Sequence, residues 1–108
     1  MGDAVVGRAL RLLQKYPARA WTVTGLASRV GVSRATLARR FSDLVGEPPM
    51  AYLTSWRLCV ATDLLEHTSA TVEAIARQVG YESAFGLSVA FKRVYGTRPS
   101  QHRTAISA

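Results

Sequence analysis

Cysteine is almost missing from this chain: among 108 residues only Cys59 is one. That excludes a disulfide framework within the chain and any zinc site built from several thiolates. The two histidines, His67 and His102, stand far apart with no ligand cluster around either, so no metal site is expected. No apolar run approaches the ~20 residues of a membrane span, and Met1-Gly2-Asp3 opens no secretory signal. The expectation is a cytoplasmic chain with no membrane partner. Gly-rich phosphate loops, nucleophile elbows and paired carboxylates are all lacking, which leaves no enzyme reading and no cofactor to assign. Acidic residues are scarce as well, seven against fourteen cations, giving a net charge of +7 and a pI near 10.5.

Among those cations only Lys15 and Lys92 are lysine; the other twelve are arginine. Arginine presents a planar fork that matches phosphates and guanine edges, so this excess points first to nucleic acid. The charge is also unevenly placed. Residues 1–45 carry a net +6, residues 46–70 a net −2, and residues 71–108 a net +3. Two basic blocks flanking an acidic middle are not the profile of a uniformly solvated surface. With 48% apolar residues the chain has enough material for the core of one domain.

Helix signals are dense and no segment suggests a strand. Over residues 4–16, Val5, Val6, Ala9, Leu12, Leu13 and Tyr16 recur at helical spacing, with Arg8, Arg11 and Lys15 on the other side. Asp3 is placed to cap this helix, and Pro17 stops it. Thr22 or Thr24 opens a second helix through Val30, and Gly31 supplies its left-handed end. Ser33 caps a third, over about 33–44, with Leu37, Phe41 and Leu44 inward. Pro48 or Pro49 starts a long helix to about Glu66, with Leu53, Trp56, Val60, Leu64 and Leu65 as core candidates. A short fifth helix runs from Val72 to Val79. Ser83 caps a sixth, over about 83–95, with Leu87, Phe91 and Val94 inward. Pro99 begins a final turn or two that includes Gln101, His102 and Arg103. The reading is all-α, about seven helices.

Two stretches repeat each other. Leu26-Ala27 through Val30-Gly31 matches Ile75-Ala76 through Val79-Gly80 at an offset of 49 residues, and in both a serine then opens a helix carrying Leu and Phe four apart. Each is the pattern of a helix-turn-helix. Alanine lets two helices cross closely, glycine takes the positive φ of a sharp turn, and serine caps the second helix. The second copy has one more turn residue, because Ala27 to Leu37 is ten positions and Ala76 to Leu87 eleven.

In order, these features are a helix-turn-helix, the segment Trp56-Arg57-Leu58-Cys59-Val60-Ala61-Thr62-Asp63-Leu64-Leu65, a second helix-turn-helix with Gly80-Tyr81-Glu82-Ser83, and Phe91 through Gly96-Thr97-Arg98-Pro99-Ser100-Gln101-His102-Arg103. This order resembles the DNA-binding domain of AraC/XylS-type bacterial transcription regulators over about residues 4–103. The resemblance implies a first subdomain at 4–46, a linker helix at 48–67 and a second subdomain at 71–104. It further implies binding to double-stranded DNA, usually to activate transcription with RNA polymerase as a partner. In that family the domain commonly follows an effector-binding or dimerisation domain, which this chain lacks, and a nucleoid-associated location goes with such a role.

Geometry points the same way. A helix from Pro49 to Glu66 spans about 27 Å at roughly 1.5 Å per residue, against ~34 Å between successive major-groove faces on one side of a duplex. One chain then suffices for an asymmetric site. On the third helix, Leu37 and Phe41 fix the inward face, which leaves Arg34, Ala35, Ala38, Arg39 and Ser42 outward. Arg34 and Arg39 are the candidates for guanine contact, each worth ~1–3 kcal/mol of discrimination if bidentate. Ala35 and Ala38 allow close entry and suit thymine methyls.

Aligned on Leu87, the sixth helix presents Ala84, Phe85, Ser88, Val89 and Lys92. This departs from the family pattern, since Phe85 replaces a common polar residue and Val89 a common arginine. Hydrogen-bonding readout there rests on Ser88 and Lys92. Either Phe85 and Val89 meet thymine methyls or the second motif mainly grips backbone, with packing on neighbours a further role open to Phe85; weak or backbone-dominated reading by the second motif is the expectation. Candidate phosphate contacts are Thr22, Thr24, Ser33, Arg40, Ser42, Thr71, Ser83 and Arg93, with an intramolecular ion pair as the other role open to Arg40.

The remaining notable residues take plainer roles. Trp21, Trp56, Tyr52 and Tyr81 are expected in packing, Cys59 buried, and Arg57 beside Asp63 or Glu66. Arg98 and Arg103 are either phosphate contacts or solvated charge. The rival to specific DNA binding is a basic helical module that takes an acidic protein partner or grips nucleic acid without selectivity.

Overall fold

A computed structural model describes residues 2–107 of the chain. Among them are seven helices and no strand: α1 (Ala4–Lys15), α2 (Val23–Val30), α3 (Arg34–Val45), α4 (Pro49–His67), α5 (Val72–Val79), α6 (Ala84–Tyr95) and α7 (Pro99–Ser107). Each boundary has a local chemical cause. Asp3 accepts the N–H groups of Val5 and Val6 at the start of α1. Thr22, Ser33, Thr71 and Ser83 each accept the N–H three residues on, the most common use of a short side-chain oxygen at a helix start. The turns after α2 and α5 close in the same way, with Val32 and Tyr81 donating back to Ala27 and Ala76 while Gly31 and Gly80 take positive φ.

The chain forms two compact units, one through Ser55 and one from Trp56. Each has its own core. In the first, Val6, Ala9 and Leu13 of α1 meet Leu26, Ala27 and Val30 of α2, Leu37 and Phe41 of α3, and Leu53 of α4. In the second, Leu58, Ala61 and Leu65 of α4 meet Ile75, Ala76 and Val79 of α5 and Leu87, Ala90 and Phe91 of α6. The spacings correspond at every core position but Leu53 and Ala90, including the three-then-four step of the leading helix. The repeat therefore extends beyond the two helix-turn-helix stretches. The second half of α4 does for its unit what α1 does for the first, and α7 stands for the start of α4. Pro49 and Pro99 are both fully buried at the first turns of those helices. Phe41 meets Tyr52 edge-on at 5.9 Å, and Phe91 meets His102 edge-on at 5.7 Å.

Several expected core positions differ. Leu44 and Val94 lie on the apolar stripes of α3 and α6, yet they are 54% and 52% exposed. Both fall in the last turn of a twelve-residue helix, clear of the core its earlier turns fill. On α4 the buried residues beyond Leu53 are Leu58, Ala61 and Leu65, while Trp56, Val60 and Leu64 are half-buried. The burial stripe belongs to the second unit's core and is one position out of step with the expected one. Cys59 consequently faces outward and is exposed, not buried. Tyr16 is the C-cap of α1, not its last inward residue, and is exposed. The last helix is longer than the expected turn or two, reaching Ser107.

Candidate nucleic-acid interface

The outward face of α3 follows from its inward one. Burying Leu37 and Phe41 leaves Arg34, Ala35 and Arg39 exposed, with Ala38 and Ser42 half-buried beside them. Among the described residues neither Arg34 nor Arg39 is drawn into an ion pair, so both guanidinium groups remain available to a ligand. Arg40 is different. Its Nε and Nη2 donate to the two carboxylate oxygens of Asp3, both at 2.7 Å, so of its two expected roles the intramolecular pair is the one formed. That fork holds the Asp3 carboxyl below the usual aspartate range, aided by the N–H groups of Val6 and Val5.

On α6 the same face carries Phe85, Ser88, Val89 and Lys92. Phe85 is 77% exposed and Val89 50%, so neither is packing material for the second core. With Ala84, Ser88, Lys92 and Arg98 they line an open groove. Of the candidate phosphate-binding residues, Thr22, Thr24, Ser33, Thr71 and Arg93 are exposed, and Ser42 and Ser83 half-buried. Thr22, Ser33, Thr71 and Ser83 are already occupied as acceptors by their cap bonds, and Ser33 also donates to Thr36 Oγ1 at 2.8 Å. What Thr22, Thr71 and Ser83 would bring to a phosphate is the hydroxyl hydrogen, backed by the positive end of the helix.

Other residues turn out to be structural. Arg103 is not solvated charge. Its fork donates to the carbonyls of Leu65 (3.2 Å), Ala70 (2.6 Å) and Thr68 (3.1 Å), closing off the C-terminal end of α4 and the loop after it. The expected carboxylate partners of Arg57 face histidines instead, Asp63 lying 3.1 Å from His67 and Glu66 3.1 Å from His102. Arg57 lies over the Tyr81 ring at 5.7 Å. Burial lowers the Arg57 pKa and raises that of the Tyr81 hydroxyl. Trp21 is half-buried against the first core, donates to the Tyr16 carbonyl, and carries Arg19 and Arg29 on its ring. Tyr52 accepts from Gln14 Nε2 at 2.6 Å.

Two features escaped the sequence reading. Glu73 accepts the backbone N–H of Ala84 at 3.1 Å and pairs with Arg77, tying α5 to the start of α6. Arg8, Arg11, Lys15 and Arg29 converge around Leu12 and Tyr16 in a basic groove, where Arg8 donates to the Arg29 carbonyl. The spacing of Arg8, Arg11 and Lys15 on one side of α1 was the available signal for the groove; for Glu73 there was none.

Comparison with known proteins decides the family. The family described as "Helix-turn-helix domain" matches residues 26–105, and the family's named relatives are AraC-like regulators. The chain is an AraC-type helix-turn-helix domain. An AraC-like transcription regulator of Streptomyces lividans is 50% identical over 103 residues, covering 95% of this chain and 34% of that protein. The chain thus spans about a third of the length of the curated relatives it matches. Among solved structures, the C-terminal domain of AraT, a response regulator from Geobacillus stearothermophilus, superposes with a TM-score of 0.92 at 31% identity, covering 95% of this chain and 86% of that one. The DNA-binding domain of AdpA, a global transcriptional factor solved with a target DNA, has a TM-score of 0.90 at 29% identity, covering 95% of this chain and 93% of that one. The AraC-type domain has no described helix long and apolar enough to cross a membrane, and no described group of three or more metal-ligating side chains.

Proposed function

We propose that this AraC-type domain binds double-stranded DNA sequence-specifically and serves a bacterial transcription regulator, with α3 and α6 as its recognition helices. The observation that carries this is the division of labour on α3. Arg40 is consumed by Asp3, whereas Arg34 and Arg39, one on the first turn and one mid-helix, are exposed and unpaired beside two alanines. Recognition helices read base edges with residues of this kind, arginine forks on guanine O6 and N7 and small apolar groups on thymine methyls. AdpA's domain, of the same fold, is solved with its target DNA.

The phosphate-side candidates are Thr22, Thr24, Ser33 and Ser42 in the first unit and Thr71, Ser83 and Arg93 in the second. The Arg8–Arg11–Lys15–Arg29 groove adds to the positive field that draws the duplex in. Contact with RNA polymerase, activation of transcription, and an effector-binding or dimerisation domain elsewhere in the protein are the roles that fit the family, in the cytoplasm and on the nucleoid.

Selection of random duplex DNA by the purified chain, followed by affinity measurements at two salt concentrations, tests the proposal. The expected result is an enriched, asymmetric site bound far more tightly than scrambled DNA. Binding should weaken with salt at a slope of about −0.9 per phosphate neutralised. No enrichment, with steep loss of binding in salt, would leave a non-specific cation and end the proposal.

A further inference from the structure

The two recognition helices present opposite chemistries at matching positions. An offset of 50 residues sets Phe85 where α3 has Ala35, and Val89 where it has Arg39. Phe85 and Val89 are four apart, so they form one continuous stripe. The second unit's core is complete without them, being filled on this helix by Leu87, Ala90 and Phe91. A phenylalanine more than three-quarters exposed beside a half-exposed valine is apolar surface that folding has left unburied. The groove they line carries two cations, Lys92 and Arg98, and no carboxylate.

An apolar stripe rimmed by cations has a natural complement in the major groove of a thymine-bearing duplex. There C5-methyl groups project between two lines of phosphate. An acidic protein surface could also satisfy Lys92 and Arg98, but the duplex sets methyl groups at fixed spacing between two lines of negative charge, which is the arrangement of this groove. Guanine or cytosine under the stripe would lose water from O6, N7 or N4 with no hydrogen bond in return, because neither side chain has a polar atom. The stripe therefore both attracts methyl groups and rejects the polar edges that an arginine at position 89 would have favoured.

We propose that Phe85 and Val89 read thymine methyl groups, which makes the part of the site facing α6 dependent on thymine. This rests on the reading that the chain binds duplex DNA with α6 in a major groove. It replaces hydrogen-bonded readout in the second motif with apolar readout.

The test uses the site obtained by selection, with each thymine of the α6-facing block replaced in turn by uracil, which differs by that methyl alone. The expected result is an affinity loss of about three- to fourfold for each methyl the wild-type chain buries, on the scale of one CH₂ removed from water. Phe85→Ala and Val89→Ala should bind the thymine site more weakly. At their own position they should no longer distinguish thymine from uracil, and their helicity and melting should match wild type since both side chains are exposed. Uracil replacement leaves the protein untouched, so its result does not depend on how the variants fold. An enriched site whose α6-facing block lacks thymine, or in which uracil is silent or acts equally on all three proteins, overturns the inference while leaving specific DNA binding standing. Failure to enrich any site would overturn both.

Discussion

The guanidinium of Arg57 lies against Gly80. A Cβ added to Gly80 would stand 2.8 Å from Arg57 Nε, and the glycine's φ is +110°. The same guanidinium covers the ring of Tyr81, so the turn of the second helix-turn-helix is closed over an arginine. Gly31, at the corresponding turn of the first motif, has φ +80° and nothing within 4 Å of an added Cβ. Two turns of one design thus use glycine for different reasons.

Gly80→Ala should accordingly destabilise the chain more than Gly31→Ala. At Gly31 the cost is the left-handed backbone alone, about 1–2 kcal/mol. At Gly80 the backbone lies further from any region an L-residue adopts, and the guanidinium must leave its place over Tyr81, a contact worth about 0.5–1 kcal/mol or more when partly desolvated. Denaturant unfolding of both variants decides the order. Repeating Gly80→Ala in an Arg57→Ala background should shrink its penalty, because the side chain in the way is gone. Equal penalties for the two glycines would show that Arg57 does not constrain the turn.

Asp3 joins two elements through one carboxylate, capping α1 and receiving the fork of Arg40 from α3. Its pKa is lowered, chiefly by the Arg40 hydrogen bond. The stability this confers is therefore fully present above the ordinary aspartate value and is lost as pH falls through the lower folded value. Asp3→Asn keeps a cap acceptor but removes the charge. The variant should be less stable than wild type near neutrality, and the gap should close progressively from about pH 5 downward. Thermal melts across that range test it; a gap independent of pH would mean that the charge is not what Asp3 contributes.

Most helix positions, the turn glycines and the two helix-turn-helix motifs were legible in the sequence, because each rests on residues within a few positions of one another, although the last helix runs further than the expected turn or two. Ser33 and Ser83 needed no tertiary information to be placed at helix starts, whereas Thr22 shared that role with Thr24 until the fold chose between them. The misplaced residues depended on what lies across the fold. Cys59 and Leu58 are neighbours on α4, and which of them is buried depends on which unit that stretch of helix serves. Arg40 and Ala90 occupy equivalent positions, one pairing with Asp3 and the other filling the second core. Leu44 and Val94 follow the stripe but sit in the last turn, outside both cores. The outward faces of α3 and α6 were legible because they are what remains once Leu37, Phe41, Leu87 and Phe91 turn inward.

Arg103 is the clearest case of a long-range role, reaching 33 to 39 positions back to carbonyls at the end of α4. Arg103→Ala leaves those carbonyls without a charged donor and should cost about 2–3 kcal/mol of stability. Arg103→Lys should recover only part of it, since one ammonium cannot reproduce the fork. Measured well below the melting temperature, the salt slope of DNA binding should be unchanged in both variants. A slope reduced by about one in Arg103→Ala would instead make this arginine a phosphate ligand.

Arg39 and Lys92 separate base reading from backbone grip. Arg39 is exposed, unpaired and flanked by Ala35 and Ala38 on the face proposed to enter the groove. Arg39→Ala should lower affinity for the preferred site by ~1–3 kcal/mol while binding of sequences altered at the contacted base barely changes, so preference at that position relaxes. Lys92 is in the last turn of α6, beside Arg93, and lines the same groove as Arg98. Recognition helices meet bases mainly with their N-terminal residues, which leaves a last-turn ammonium facing the strand. Lys92→Ala should then weaken all sequences alike and reduce the salt slope by about one. Competition binding over a set of single-base variants at two salt concentrations reads both effects at once. If Arg39→Ala weakened every sequence equally, its guanidinium would be on a phosphate and base selection by α3 would fall to Arg34.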